Sequence, residues 1–338
     1  MTRALATLLL AAATITAPAF ANDTQANVAY GGLIFEQNPD ITMDAEDLYL
    51  SLDTVRVRYT YTNRSTKPVT ILIAFPLPDV PLPNVDWDWA EAATPDWDDI
   101  GMKTLVNGKL AGLMRIDIPR VDGKDIEPRL KALGWPVRFW QDEGLMPRLQ
   151  ALSADDKSAL VAEGLLTGAD MGPNGVRPAW IVATSFVRTQ TFPTGVPVNV
   201  EHSYTPSQGG TVGSGLDRAG RDDMLVSDGP YVRFCVDDAF LRGYDRKRYL
   251  PDGTISDRTF PIEQWIGYRL SPGANWKGPI GRFRLTIDKG FADRLVSLCM
   301  DGMTKISPTR FEVVKTNYEP VRDIDVLFVN FTPMEGGQ

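Results

Sequence analysis

The chain contains a single histidine, His202, so any imidazole chemistry must run through that one residue. Zinc sites built from two or three imidazoles are thereby excluded, and a histidine-dependent hydrolase has one candidate base. His202 stands in Val200-Glu201-His202-Ser203-Tyr204-Thr205-Pro206, a stretch of period two that puts His202 and Tyr204 on one face of a strand, with Glu201 adjacent. A Gly-, Ser- and Asp-rich segment over residues 206–229 follows at once and reads as a long exposed loop or partly mobile flap. One reading makes His202 the proton carrier of a hydrolase whose cleft lies beneath that segment. The other makes it a structural histidine tying a strand to a loop, and it is favoured because the sequence places no Ser, Cys or carboxylate as its partner.

A second constellation is Asp86-Trp87-Asp88-Trp89 followed by Asp96-Trp97-Asp98-Asp99, in a loop-like stretch flanked by prolines. Indole faces stack on sugar rings, and carboxylates bind sugar hydroxyls or a hard cation. The run is therefore a candidate glycan surface, with a calcium ion at Asp86 and Asp88 as a further option. It lacks the spacing and central glycine of an EF-hand loop. The plainer alternative has the tryptophans pinning the loop to a sheet edge while the aspartates face water. No other metal and no cofactor is expected. A chain with 43 acidic residues always offers carboxylate pairs, so their presence does not argue for glycoside hydrolysis. The sequence has no GxSxG elbow, P-loop, CxxC or dinucleotide fingerprint after a strand.

With a formal net charge of −8 and no cluster of Lys and Arg, the chain is poorly suited to nucleic acid or to anionic lipid surfaces. Its amino terminus carries one basic residue, Arg3, then an apolar run over residues 4–15 and the small-residue site Ala19-Phe20-Ala21. This is the pattern of a signal peptide over residues 1–21, cleaved before Asn22. An uncleaved anchor is disfavoured by Pro18 and the shortness of the run, and no Cys follows it to accept a lipid. No later stretch is apolar enough to span a membrane, so the protein is expected in the periplasm or outside the cell. Disulfides persist there, and Cys235 and Cys299 are expected to pair, closing a loop of about 65 residues for about 4 kcal/mol.

These residues must be positioned by a mainly β architecture, antiparallel β-sandwich regions with a short helical insertion. Leu48, Leu50 and Leu52 alternate with Tyr49 and Ser51, and Val55, Val57, Tyr59 and Tyr61 alternate with Arg56, Arg58 and Thr60. After a turn at residues 63–66, Val69, Ile71, Ile73 and Phe75 continue on one face, as a hairpin ended by prolines. A second hairpin is expected from residues 103–106 through Asn107-Gly108 to a strand near 113–118. Between residues 123 and 170 the period becomes helical. Ile126, Leu130 and Leu133 share a face that stops at Gly134, Leu145, Leu149 and Leu152 share another, and a third helix is capped by Ser153. Strands return over residues 180–192, 196–204, 265–270, 283–287, 294–300, 311–315 and 325–331. The expected division is 22–122, an amino-terminal β-sandwich region, 123–170, the insertion, and 171–338, a carboxy-terminal β region.

Several strings resemble a known family. Tyr30-Gly31-Gly32-Leu33-Ile34-Phe35, Met43-Asp44-Ala45-Glu46-Asp47-Leu48-Tyr49-Leu50 and Ala74-Phe75-Pro76-Leu77-Pro78-Asp79 resemble the opening of the bacterial exported domain-of-unknown-function family 4424. His202-Ser203-Tyr204-Thr205-Pro206, Gly278-Pro279-Ile280-Gly281-Arg282-Phe283, Asp288-Lys289-Gly290, Val296-Ser297-Leu298-Cys299 and Pro308-Thr309-Arg310-Phe311 extend the likeness over nearly the whole mature chain. The resemblance implies export but brings no activity and no catalytic residues. The stretch from Tyr59-Thr60-Tyr61-Thr62-Asn63 to Phe75-Pro76-Leu77-Pro78 is also similar to the opening hairpin of vault and inter-alpha-trypsin-inhibitor type β domains, a likeness of fold only. Together these features point to a non-enzymatic binding or interaction module of the cell envelope, its partner a glycan or another envelope protein, with the His202 hydrolase as the alternative.

Overall fold

The computed structural model describes residues 23–29, 32–77, 79, 100–168, 175–226 and 229–334. The expected signal peptide and the Asp86–Asp99 loop lie outside them. The chain opens with β1 (Thr24–Ala29) and β2 (Gly32–Glu36), then the long strands β3 (Ile41–Leu50), β4 (Val55–Asn63) and β5 (Val69–Pro76). After residue 100 come β6 (Lys103–Val106), β7 (Lys109–Leu110), β8 (Met114–Val121) and β9 (Lys124–Asp125). Helices α1 (Glu127–Leu133), α2 (Leu145–Gln150) and α3 (Ala154–Ala162) follow, then β10 (Leu166–Thr167), β11 (Arg177–Pro178), β12 (Ile181–Phe192), β13 (Val198–Tyr204) and β14 (Gly209–Val212). The rest comprises α4 (Arg221–Met224), α5 (Asp238–Arg248), β15 (Thr259–Tyr268), β16 (Ile280–Asp288), β17 (Leu295–Leu298), β18 (Thr304–Lys305), β19 (Arg310–Tyr318) and β20 (Ile324–Pro333).

The protein is mainly β. An eight-stranded sheet runs β18-β19-β16-β3-β4-β13-β6-β7, a six-stranded sheet β2-β1-β5-β12-β8-β9, and a four-stranded sheet β14-β15-β20-β17. Among the described residues the strand pairings in these sheets are antiparallel except β16 with β3, which is parallel. One core cluster joins the three: Val57, Tyr59 and Leu285 from the large sheet, Ile73 and Phe75 from the six-stranded sheet, Ile266 and Phe328 from the four-stranded one. The large sheet thus buries one face against two smaller sheets and leaves the other free to be polar. It takes β3, β4 and β6 from the expected amino-terminal region and β13, β16 and β19 from the carboxy-terminal one. The division near residues 122 and 170 is therefore not a division between sheets.

Local chemistry explains where the chain turns. A register shift between Met43 and Ala45 on β3 changes which residues face inward, so Ile41 and Met43 are buried before it and Glu46, Leu48 and Leu50 after it. Asn107 and Gly108 take φ of 49° and 77°, the positive pair a tight hairpin needs, and join β6 to the short β7. The expected partner near residues 113–118 is instead β8, which leaves for the six-stranded sheet. The expected β4–β5 hairpin is also a crossover between sheets. Asn63 Nδ2 donates to the carbonyls of Lys67 and Phe192, and its Oδ1 accepts from Ser65 N, which turns the chain across the core. The helices α1 to α3 pack Leu130, Leu145, Leu149 and Leu160 around Trp180 and Val182 at the start of β12. Ser153 caps α3 by accepting from Asp156 N at 3.1 Å, and α1 ends on Gly134 in the left-handed region. Residues 206–229 contain β14, hydrogen-bonded to β15, and the fully buried Leu216, so the described part of this segment is built into the fold.

Candidate functional site

Strands β4 and β13 carry their charged side chains on the outer face, and β13 sets one titratable side chain, His202, on the inner face. On the inner face Val57 lies opposite His202, whose ring is fully buried. His202 Nε2 lies 3.0 Å from Asp23 Oδ1 and Nδ1 lies 2.7 Å from Thr104 Oγ1. The carboxylate can only accept, so Nε2–H donates to Asp23 and the Thr104 hydroxyl donates to Nδ1. Arg188, on β12, reaches the same carboxylate with two nitrogens at 2.7 and 3.3 Å, and Trp276 Nε1 donates to the Asp23 carbonyl at 3.1 Å. Burial alone would raise the Asp23 carboxyl, but Arg188 and His202 outweigh it and hold the group well below the usual carboxylate range. Burial pushes His202 below its ordinary value, with Asp23 only partly offsetting it, so the ring is neutral at pH 7.

The order hydroxyl, imidazole, carboxylate matches that of an acyl-transfer relay. Thr104, His202 and Asp23 are nevertheless each 0% exposed, and none lines either of the grooves described below. What the arrangement does in the fold is join three elements: β6 through Thr104, β13 through His202, and the amino-terminal end of β1 through Asp23.

On the outer face, the register of four strands sets charges side by side. Arg284, Asp47, Arg58 and Glu201 lie opposite one another in a row from β16 to β13. Arg284 pairs with Asp47, and Arg58 with Glu201. The next row holds Glu312, Thr286, Tyr49, Arg56 and Ser203. Tyr49 is fixed at its tip, where its hydroxyl donates to Asp288 Oδ2 at 3.1 Å, and Arg310 Nε donates to the same oxygen at 2.7 Å. Partial burial and the Asp288 carboxylate raise the Tyr49 phenol above its ordinary value, so it stays a neutral donor. The Arg56 guanidinium lies 5.3 Å from the Tyr49 ring centroid, a cation–π distance, and makes no hydrogen bond or ion pair among the described residues.

An open groove of about 540 Å³ on this face is lined by Tyr49 and Thr286, by four arginines (Arg56, Arg58, Arg284, Arg310) and by three carboxylates (Asp47, Asp53, Glu312). A second groove of about 560 Å³ adjoins it along β18 and β19, sharing Ile306 and Glu312. Glu201 and Asp288, which do not line the first groove, neutralise Arg58 and Arg310, so Arg56 is the groove arginine without an ion-pair partner among the described residues.

Residues 21–327 match the model of the family described as Domain of unknown function (DUF4424). The chain belongs to the DUF4424 family. No curated protein sequence matches it. Among solved structures it is similar to a provisionally named nutrient binding protein of Legionella pneumophila, at 14% identity and a TM-score of 0.44 over 92% of this chain and 70% of that one. It is also similar to an M1 zinc metallopeptidase of Deinococcus radiodurans, at 8% identity and a TM-score of 0.27 over 87% of this chain and 43% of that one. Likeness this low carries nothing about ligand or reaction.

In this DUF4424 protein the sequence-nominated residues fall in three places. Asp86, Trp87, Asp88, Trp89, Asp96, Trp97 and Asp98 lie outside the described residues. His202 and Tyr204 do share one face of β13, and it is the core face. Tyr204 is 8% exposed and packs edge-on against Phe75, so its ring faces no groove. Cys235 and Cys299 are bonded, with Cα atoms 5.0 Å apart. Among the described residues no helix is long and apolar enough to cross a membrane, and no group of three His, Cys, Asp or Glu side chains converges on a metal-sized site. The groove was not anticipated. Its only local signal was the alternation of Arg56 and Arg58 with Val55 and Val57, which by itself describes any solvated sheet face.

Proposed function

We propose that this DUF4424 protein is a non-enzymatic binding module of the cell envelope, and that its ligand is a small polar anion, a carboxylate or a phosphate, seated in the arginine groove on the outer face of the large sheet. The observation that carries the reading is Arg56. It is exposed in a concave site, held over the Tyr49 ring, and without a carboxylate among the described residues, whereas Arg58, Arg284 and Arg310 are each engaged by one. A guanidinium offers a planar fork that matches a carboxylate or phosphate with two parallel hydrogen bonds. The paired arginines stiffen the floor around it, which reduces the ordering cost of binding.

The expected export supports the same reading, because the bonded cysteines suit an oxidising compartment. The His202 hydrolase has less support, since a substrate would have to reach three fully buried side chains. The test is a thermal-denaturation panel of inorganic phosphate, acetate, succinate, citrate and glutamate on the purified protein. The reading expects at least one to raise the melting temperature in a saturable way. A flat response to all of them at millimolar concentration would set it aside.

A further inference from the structure

The disulfide lies at the surface between two unlike environments. Cys235 is exposed and follows the 3-10 turn Val232–Phe234 with φ of 49°, a left-handed backbone uncommon for a residue with a side chain. Its sulfur lies 3.9 Å from Arg322 Nη1. Cys299 follows β17, and its sulfur lies 3.3 Å from the Arg233 carbonyl oxygen and 3.6 Å from that of Val232. A guanidinium stabilises a thiolate, whereas carbonyl oxygens accept from a thiol and oppose a thiolate. The two sulfurs are therefore set up for different protonation states once the bond opens.

We propose that Cys235–Cys299 is a thiol–disulfide exchange site for a dithiol reductant, with Cys299 forming the transient mixed disulfide and Cys235 departing as a thiolate beside Arg322. In the first step a thiolate of the reductant attacks Cys299 Sγ, a new S–S bond forms, and the electron pair of the old one leaves on Cys235. In the second step the reductant's other thiol, as thiolate, attacks its own sulfur in the mixed disulfide and displaces Cys299. Cys299 takes the proton released by that thiol and donates it toward the Arg233 carbonyl. The protein gains two electrons and two protons, one of which Cys235 can leave in water, and the reductant becomes a disulfide.

The segment stays in place while the bond is open. Ser297 Oγ lies 2.9 Å from the Phe234 carbonyl and 3.3 Å from that of Cys235, and Phe234 is buried beside Tyr231 and Trp265. The other charges nearby leave Arg322 as the cation facing the sulfur. Arg233 lies over the rings of Phe234 and Trp265. Burial pushes the Asp325 carboxyl up, and it answers to Arg233, Arg269, Asp323 and Arg322.

The experiment reduces the native protein with dithiothreitol without denaturant, then follows iodoacetamide alkylation of each cysteine against pH by mass spectrometry, in the wild type and in Arg322→Gln, an exposed position. Expected are reduction in the folded state, a titration midpoint for Cys235 below about 8.5 and below that of Cys299, and a loss of about threefold or more in the Cys235 rate at pH 7 in Arg322→Gln. Brief exposure to reduced glutathione should leave the adduct on Cys299. Reduction only after unfolding, a midpoint for Cys299 at or below that of Cys235, an unchanged Cys235 rate in Arg322→Gln, or an adduct on Cys235 would each overturn the proposal.

Discussion

Asp23→Asn replaces one oxygen of the buried carboxylate by an amide NH2 and removes its charge. Two donors, Arg188 and His202 Nε2–H, then compete for a single remaining acceptor, and one of them faces another donor. The Arg188 side chain is 4% exposed, so its positive charge loses its counterion where water cannot replace it. Breaking a buried pair in this way costs about 3–5 kcal/mol. Because both interactions end on one carboxylate, the orphaned imidazole N–H adds a cost that should not exceed about 1–3 kcal/mol. Urea unfolding followed by tryptophan fluorescence, with the amino terminus verified by mass, should give a loss of at least about 3 kcal/mol. The double variant Asp23→Asn/Arg188→Met removes both charges and should be clearly more stable than the sum of the two single losses. A loss under about 1 kcal/mol, or strict additivity in the double variant, would refute the claim that this carboxylate organises the core.

Acid should destabilise the protein in two stages. Burial depresses His202, so below about pH 6.5 the unfolded chain binds a proton the folded one does not; Asp23, held below the usual range, adds a further loss below about pH 4. Urea midpoints should fall from pH 8 downward, His202→Gln should flatten the upper stage, and a midpoint that rises between pH 7 and 5 would contradict the assignment of a neutral ring. Gly281→Ala would set a Cβ 2.6 Å from the Asp44 carbonyl oxygen at the β3–β16 seam, where the obstacle is backbone and cannot rotate away. It should cost about 1–3 kcal/mol in the same urea assay, and an unchanged midpoint would argue against the parallel seam.

Much of the β architecture was readable because its signal is local. Leu48, Leu50, Val55 and Val57 alternate with polar neighbours, and each is fully buried. Ser153 announces α3 by a contact three residues long, and two cysteines in a chain expected to be exported have one way to pair within it. The assembly of sheets was not readable, because β16 meets β3 across more than two hundred residues and no local period encodes partnership. Helix α5 was missed because its buried residues are only Phe240, Gly243 and Tyr244, too narrow a stripe among six charged positions, Ala239 and Leu241 to announce itself. Nothing local marks Asp23, because its partners Arg188 and His202 stand 165 and 179 positions away. The groove was hidden for the same reason. Arg56 and Tyr49 are neighbours only through the β3–β4 register, and Arg284 and Arg310 join them from the far end of the chain.

The central claim is tested most directly by calorimetric titration of the anion that stabilises the protein best into the wild type, Arg56→Gln and Arg282→Gln, the last an exposed arginine of β16 outside the groove. The account predicts saturable binding with one site per chain in the wild type, little change in Arg282→Gln, and a loss of about tenfold or more in Arg56→Gln, as befits a charge-assisted bidentate contact of about 1.5–3 kcal/mol. Equal affinity in the wild type and Arg56→Gln would contradict it.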